Sequence, residues 1–504
     1  MSDESTVVAV PRAAGAAPPE PNPRRWVALL VIAIAQLMVV LDATVVNIAL
    51  PQAQFDLGIS DADRQWVLTA YTLTFGGLLL LGGRIADYWG RKRTFVVGIA
   101  GFAAASALGG AATGGVMLFA ARALQGGFGA LLAPASLALL TVLFTDTSER
   151  AKAFGVYGAI AGGGSAVGLV MGGVLTEYAN WRWCLLVNVP VAVLAIVAAL
   201  PLVPESRAHG DTRYDVPGAV LATVGLVSVV YGFTKAATDG WRAPATLGFI
   251  GAGVLLLAVF VAVENRSSNP LLPMRILLDR NRGGVYLASS LFGAGLFGAF
   301  LFLTFYFQVV LHYTPLTAGV ATLPITVGVL VAAGVATPLM PRIGPKPLMV
   351  TGSVVAALAM LALTRIGVHT SYGTHVLPAA IILGIGLGLT FVPLANVALV
   401  GVPDHDAGAA SATLNATQQV GGSLGTALLN TIYTTAVAAY VTGHGIGGPD
   451  AKLPGLVHGY ATAFAWGAGL LGLSALVIAV MLRVHKEDLA EPHGAPTGTL
   501  KSDF

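Results

Sequence analysis

Fourteen predominantly apolar stretches run through this chain, and only two formal charges, Asp42 and Arg122, lie deep inside any of them. Each stretch is close to the roughly 20 residues that an α-helix needs to cross the hydrocarbon core of a bilayer. In lipid every backbone polar group must be satisfied within its own segment, so such a chain folds as a bundle of membrane helices. The stretches are 26–50, 65–83, 94–112, 116–144, 152–175, 183–202, 217–235, 246–263, 283–311, 317–340, 348–364, 377–400, 408–437 and 459–482. Only 10% of the residues are charged, against about 25% in ordinary globular domains. That contrast excludes a soluble domain and makes the lipid bilayer the first partner. The net charge of +3 is no nucleic-acid signature, and none is expected as a partner. The single cysteine, Cys184, excludes an intramolecular disulfide and a cysteine-based metal cage.

An even number of spans puts both termini on one side. With the termini inside, 20 of the 27 Lys and Arg fall in inner segments and 6 in outer ones, leaving Arg122 within the membrane. This bias predicts cytoplasmic termini in the plasma (inner) membrane. Residues 1–25 carry no apolar core and read as a disordered cytoplasmic tail, not a signal peptide. Residues 483–504 read as a second tail.

An internal repeat sets the domain organisation. Gly90, Lys92 and Gly98 recur as Gly344, Lys346 and Gly352, 254 residues on. Leu124, Gly127, Gly129 and Pro134 recur as Leu383, Gly386, Gly388 and Pro393, at an offset of 259. Gly163-Gly164-Ser165 recurs as Gly421-Gly422-Ser423, at an offset of 258. A near-constant offset covering eight spans predicts two six-helix halves, 26–202 and 283–482, separated by two inserted helices within 203–282. Duplicated halves related about the membrane normal are a transporter architecture.

The loop Gly83-Arg84-Ile85-Ala86-Asp87-Tyr88-Trp89-Gly90-Arg91-Lys92-Arg93 resembles the loop 2–3 signature of the major facilitator superfamily. Leu41-Asp42-Ala43-Thr44-Val45-Val46-Asn47, running on to Pro51, is similar to the signature of the fourteen-span drug:proton antiporters of that superfamily. Arg122 with Gln125, Gly126 and Gly127, and Trp181-Arg182-Trp183 followed by Asn188 and Pro190, match the family's spans 4 and 6. The resemblance implies an all-α major facilitator fold and transport without enzymatic chemistry or a cofactor, with protons as the coupling ion and a monomer as the working unit. Gly83, Asp87, Gly90, Arg91 and Arg93 would then act as a conformational latch; a positive-inside anchor is the competing reading.

Asp42 lies eight residues before Leu50, and Arg122 six residues into span 4. At 1.5 Å per residue their depths are roughly 12 and 9 Å, so the two can share a layer. An intramembrane charge is a functional candidate by default. The pair is expected to carry proton coupling, the alternative being a static ion pair that orders two helices. Gly164, Gly168, Gly172 and Gly173 stand where the family has its antiporter motif, with Leu169 in the place of the motif's proline; generic helix packing is the alternative there. Tyr71, Gln125, Tyr306, Gln308, Asn396, Asn415 and Gln418 are candidate polar groups of a substrate cavity, each equally able to bond another helix.

All nine histidines lie outside the spans or at their ends, and no P-loop, HExxH or GxSxG motif occurs. With Asp42 the only deep acid, the expected substrates are small amphipathic compounds, neutral or singly charged. The expected activity is proton-coupled multidrug efflux with antibiotic resistance as its outcome; the alternative is a proton-coupled carrier of one specific metabolite.

Overall fold

A computed structural model describes residues 24–207, 215–267, 270, 274–402, 407–444 and 449–484. Most of both tails, together with Asp404 and Asp406, falls outside them. The described residues form fourteen helices long and apolar enough to cross a membrane. They are α1 (Arg25–Asp56), α2 (Trp66–Trp89), α3 (Arg91–Gly110), α4 (Gly115–Leu143), α5 (Ser148–Tyr178), α6 (Trp183–Leu202), α7 (Val216–Asp239), α8 (Pro244–Glu264), α9 (Arg280–Val310), α10 (Pro315–Ile343), α11 (Pro345–Leu363), α12 (Tyr372–Val397), α13 (Ala409–Gly443) and α14 (Leu453–Met481).

Several boundaries differ from the apolar runs. The first helix continues past Pro51 to Asp56. Proline withholds one donor, so only Asn47 O loses its intrahelical partner, and the polar residues that follow stay helical beyond the apolar run. Within α6 the helix breaks at Val187, where Pro190 cannot donate to Leu186 O. Between α2 and α3 the chain turns at Gly90, whose φ of 130° suits glycine alone. Ahead of α5, Asp146 caps the first turn by accepting from Ser148 N and Glu149 N, both at 3.0 Å. The Ser148 hydroxyl and the Glu149 N–H hold its carboxyl below the usual carboxylate range.

The two halves repeat one another helix by helix. In the first, α2 and α3 pack on α4, α1 packs on α5 and α6, and α3 packs on α6. In the second, α10 and α11 pack on α12, α9 packs on α13 and α14, and α11 packs on α14. Small residues make these approaches possible. A Cβ on Gly98 would stand 3.2 Å from Leu132 of α4, and one on its repeat partner Gly352 would meet Gly386 O and Leu389 of α12. The halves meet along two equivalent seams, α2 against α13 and α5 against α10.

One inserted helix, α7, sits across the α2–α13 seam, and α8 packs on α7 with most of its surface turned outward. The end carrying the loops after α1, α3, α5 and the other odd helices is the odd-loop end; the opposite end carries both termini. At the odd-loop end Thr234 of α7 accepts from Gln65 Nε2 at 2.9 Å and Trp66 Nε1 at 3.1 Å, while Thr431 of α13 donates to Phe233 O at 2.8 Å. Thr234→Val leaves those two side-chain donors without their acceptor at a cost of about 1–3 kcal/mol. A lowered thermal midpoint with normal membrane insertion is the expected result, and an unchanged midpoint would show that α7 does not brace the seam.

Candidate functional site

The two deep charges meet. Arg122 Nη1 of α4 donates to Asp42 Oδ2 of α1 at 2.5 Å, and both side chains are essentially inaccessible to solvent. Around the pair the first half supplies a polar shell. Gln125 Nε2 and Asn188 Nδ2 each donate to Asp42 Oδ1 at 2.9 Å, and both amides also reach Ser106 Oγ, at 2.7 and 3.3 Å. Arg122 Nη1 bonds Gln125 Oε1 at 2.8 Å, and its Nε bonds Val67 O of α2 at 3.0 Å. The guanidinium carbon lies 4.5 Å from the centre of the Tyr71 ring, which stacks on Phe75. Five helices, α1, α2, α3, α4 and α6, therefore meet around the pair, with α4 and α6 bonding the carboxylate itself.

Local sequence explains the convergence. Gln125 follows Arg122 by three residues and shares its helix face. Asn188 opens the second helical piece of α6, immediately after Val187. Ser106 reaches the pair from an Ala- and Gly-rich helix that packs closely against α4 and α6. Arg122 also holds Val67 O, so one guanidinium ties α4 to both α1 and α2.

Of the expected cavity residues, Tyr71 and Gln125 are buried within this cluster. Tyr306 is also buried and donates to Gly367 O at 2.9 Å. Gln308, on the π-helical last turn of α9, donates to Ile48 O of α1 at 2.9 Å, beside the carbonyl freed by Pro51. Asn396 and Asn415 donate to carbonyls of their own helices, at 2.8 and 3.0 Å, and Gln418 is half-buried next to the α9–α13 contact. Asn188 was read from the sequence only as part of the span 6 motif and not as a partner of Asp42, and Ser106 was not singled out at all. Asn188 carried a signal, as a polar residue two before a proline in an apolar span; Ser106 carried none.

The glycine run of α5 divides between two neighbours. Gly164, Gly168 and Gly172, four residues apart, face α1, where a Cβ would meet Val40, Thr44 and Val45 respectively. Gly173 faces the other half, where a Cβ would stand 2.6 Å from Leu316 Cα and 2.9 Å from Pro315 O of α10. In the α2–α3 loop, Asp87 accepts from Arg91 Nη2 at 2.9 Å within its own half. A side chain on Gly90 would meet the Glu205 carboxylate, which bonds Lys92 N at 3.2 Å and lies 3.7 Å from Arg93 Nε. Gly83 packs 3.6 Å from Pro134 of α4, measured from the same idealised Cβ position.

Two similar halves, an inserted helix pair and, among the described residues, one buried intramembrane ion pair define a multi-pass membrane transporter. The description Major Facilitator Superfamily matches residues 32–426. The puromycin resistance protein pur8 of Streptomyces alboniger is 51% identical over 98% of both chains. The cephamycin export protein CmcT of Amycolatopsis lactamdurans is 37% identical over 90% of both. The multidrug efflux pump LfrA of Mycolicibacterium smegmatis is 35% identical over 82% of this chain and 81% of its own. A bacterial homologue of the lysosomal transporter Spinster shares the fold at a TM-score of 0.67 and 14% identity, covering 93% of this chain and 99% of its own. The chain belongs to the Major Facilitator Superfamily and is a transporter, not an enzyme.

Proposed function

We propose that this protein exports amphipathic, neutral or monocationic compounds across the plasma membrane in exchange for external protons, working as a monomer with both termini in the cytoplasm. The observation that carries the reading is the Asp42–Arg122 pair: the protein's one buried intramembrane ion pair among the described residues, closed by hydrogen bonds on both carboxylate oxygens. Its resemblance over nearly full length to exporters and resistance proteins supports the outward direction. The excess of Lys and Arg on the side of the termini supports the orientation. An external proton on Asp42 releases Arg122, and substrate arriving from the cytoplasm with the proton leaving restores the pair. Asp87 with Arg91, the glycines at 83 and 90, and Arg93 time the change at the cytoplasmic end. The α5 glycines let α1 and α10 slide against α5.

Puromycin, named for the relative at 51% identity, is the first compound to test. Inside-out vesicles acidified within are expected to accumulate it, and to lose it when the gradient is collapsed by a protonophore. Accumulation that survives the protonophore would remove the proton from the mechanism. Uptake in the opposite sense would favour a metabolite carrier.

A further inference from the structure

We propose that Arg64 is the bolt of the outer gate: a cation of the first half held in an aromatic box of the second, which must leave that box each time the transporter opens to the outside. The sequence places Arg64 among the outer loop cations, yet only 2% of it is exposed. Its guanidinium carbon lies 4.0 Å from the centre of the Phe305 ring and 4.5 Å from that of Tyr433. Phe305 belongs to α9 and Tyr433 to α13, so both rings come from the opposite half. Arg64 Nε donates to Asn430 Oδ1 at 3.2 Å, and Asn430 Nδ2 returns a bond to Asp61 O at 2.8 Å. Tyr433 is itself fixed by stacking on Tyr460 of α14, with ring centres 4.9 Å apart.

The box suits a bistable element. Two aromatic faces and a side-chain amide hold a guanidinium well, because arginine is planar and weakly hydrated. Its Nη2 is nevertheless buried without a partner, and the nearest carboxylate, Asp61, is half exposed at 3.7 Å. Opening the outer end exchanges box for water, and water satisfies that last donor. The bolt therefore holds one state without forbidding the other.

The bolt is also wired to the ion pair. Val67 N bonds Arg64 O at 3.2 Å, and Val67 O is the carbonyl that Arg122 Nε holds. Arg122 thus holds the first turn of α2, just beyond Arg64. On its far side that turn is held to α7 through Gln65 and Trp66.

The proposal rests on alternating access between the halves but not on proton coupling, and its test needs neither substrate nor gradient. Spin labels on Phe55→Cys, at the exposed end of α1, and Arg365→Cys, exposed just past α11, report the outer opening in the full chain in nanodiscs. Cys184 is 1% exposed and stays unlabelled. The unsubstituted background is expected to give mainly the short distance. Arg64→Gln is expected to raise the ratio of long to short distances about tenfold. Tyr433→Leu should do the same from the receiving side, and the two together should do no more than either alone. Arg64→Lys should fall between. A folded Arg64→Gln with an unchanged distribution would overturn the proposal, as would full additivity with Tyr433→Leu. If Arg64→Gln does not fold, Tyr433→Leu decides alone: an unchanged distribution overturns the proposal. A lost proton response with an intact Arg64 effect would overturn the coupling reading and leave the gate standing.

Discussion

Asp42→Asn is expected to abolish proton-driven export while the protein still reaches the membrane. The carboxylate accepts on both oxygens, from Arg122 on Oδ2 and from Gln125 and Asn188 on Oδ1. An asparagine has one acceptor and one donor group there. In one orientation its amide nitrogen confronts Arg122; in the other it confronts both neighbouring amides. Either way Arg122 stays buried without a counter-ion. Breaking one side of a buried pair costs about 3–5 kcal/mol, so a loss of stability accompanies the loss of coupling. The double variant Asp42→Asn/Arg122→Met separates the two effects. With both charges gone, the thermal midpoint should recover most of the loss, since a buried pair is often replaced at little cost by apolar residues. Coupling should not recover. A double variant that regained proton-driven export would reduce the pair to a static strut.

Gly173→Ala is expected to lower the initial export rate by at least about tenfold, through the seam and not through the ion pair. Ordinary Cβ contacts do not approach within 3.0 Å, and here the nearest atoms are backbone of α10, at 2.6 and 2.9 Å. Neither atom can rotate away, so α5 and α10 must separate, at a cost of about 1–3 kcal/mol. One turn further on, Glu177 Oε2 accepts from Leu316 N at 3.0 Å and caps α10 from across the seam, a bond the separation would break. The result expected from distance measurements is an outer end that rests open. Gly163→Ala is the control, because a Cβ there meets nothing within 4 Å. Equal rates for the two variants would show that the α5–α10 approach is not rate-determining.

Much of this was legible in the sequence because lipid leaves so few options. Apolar run length delivered all fourteen helices, and the repeated glycines Gly98 and Gly352 make equivalent close approaches. Matched depth, with the family's placement of spans 1 and 4, pointed to the Asp42–Arg122 pair. What depth cannot give is direction around the helix axis. Asp42 turns into the first half, toward Ser106 and Asn188, and Arg64 turns into the second. Arg64 sits one residue before an apolar run, so hydropathy assigns it to a loop. Its burial is created by Phe305 and Tyr433, which are distant in sequence. The insert's place across the α2–α13 seam was likewise invisible, because Thr234 looks like any other hydroxyl until Gln65 and Trp66 are brought to it.

The central claim is that Asp42 carries the exchanged proton. The most direct test is the internal pH of proteoliposomes holding the purified chain, unsubstituted or Asp42→Asn, loaded with acid and offered puromycin and related amphipathic compounds. The account predicts substrate-triggered proton release that disappears in Asp42→Asn. Release of undiminished size from an inserted Asp42→Asn would contradict it.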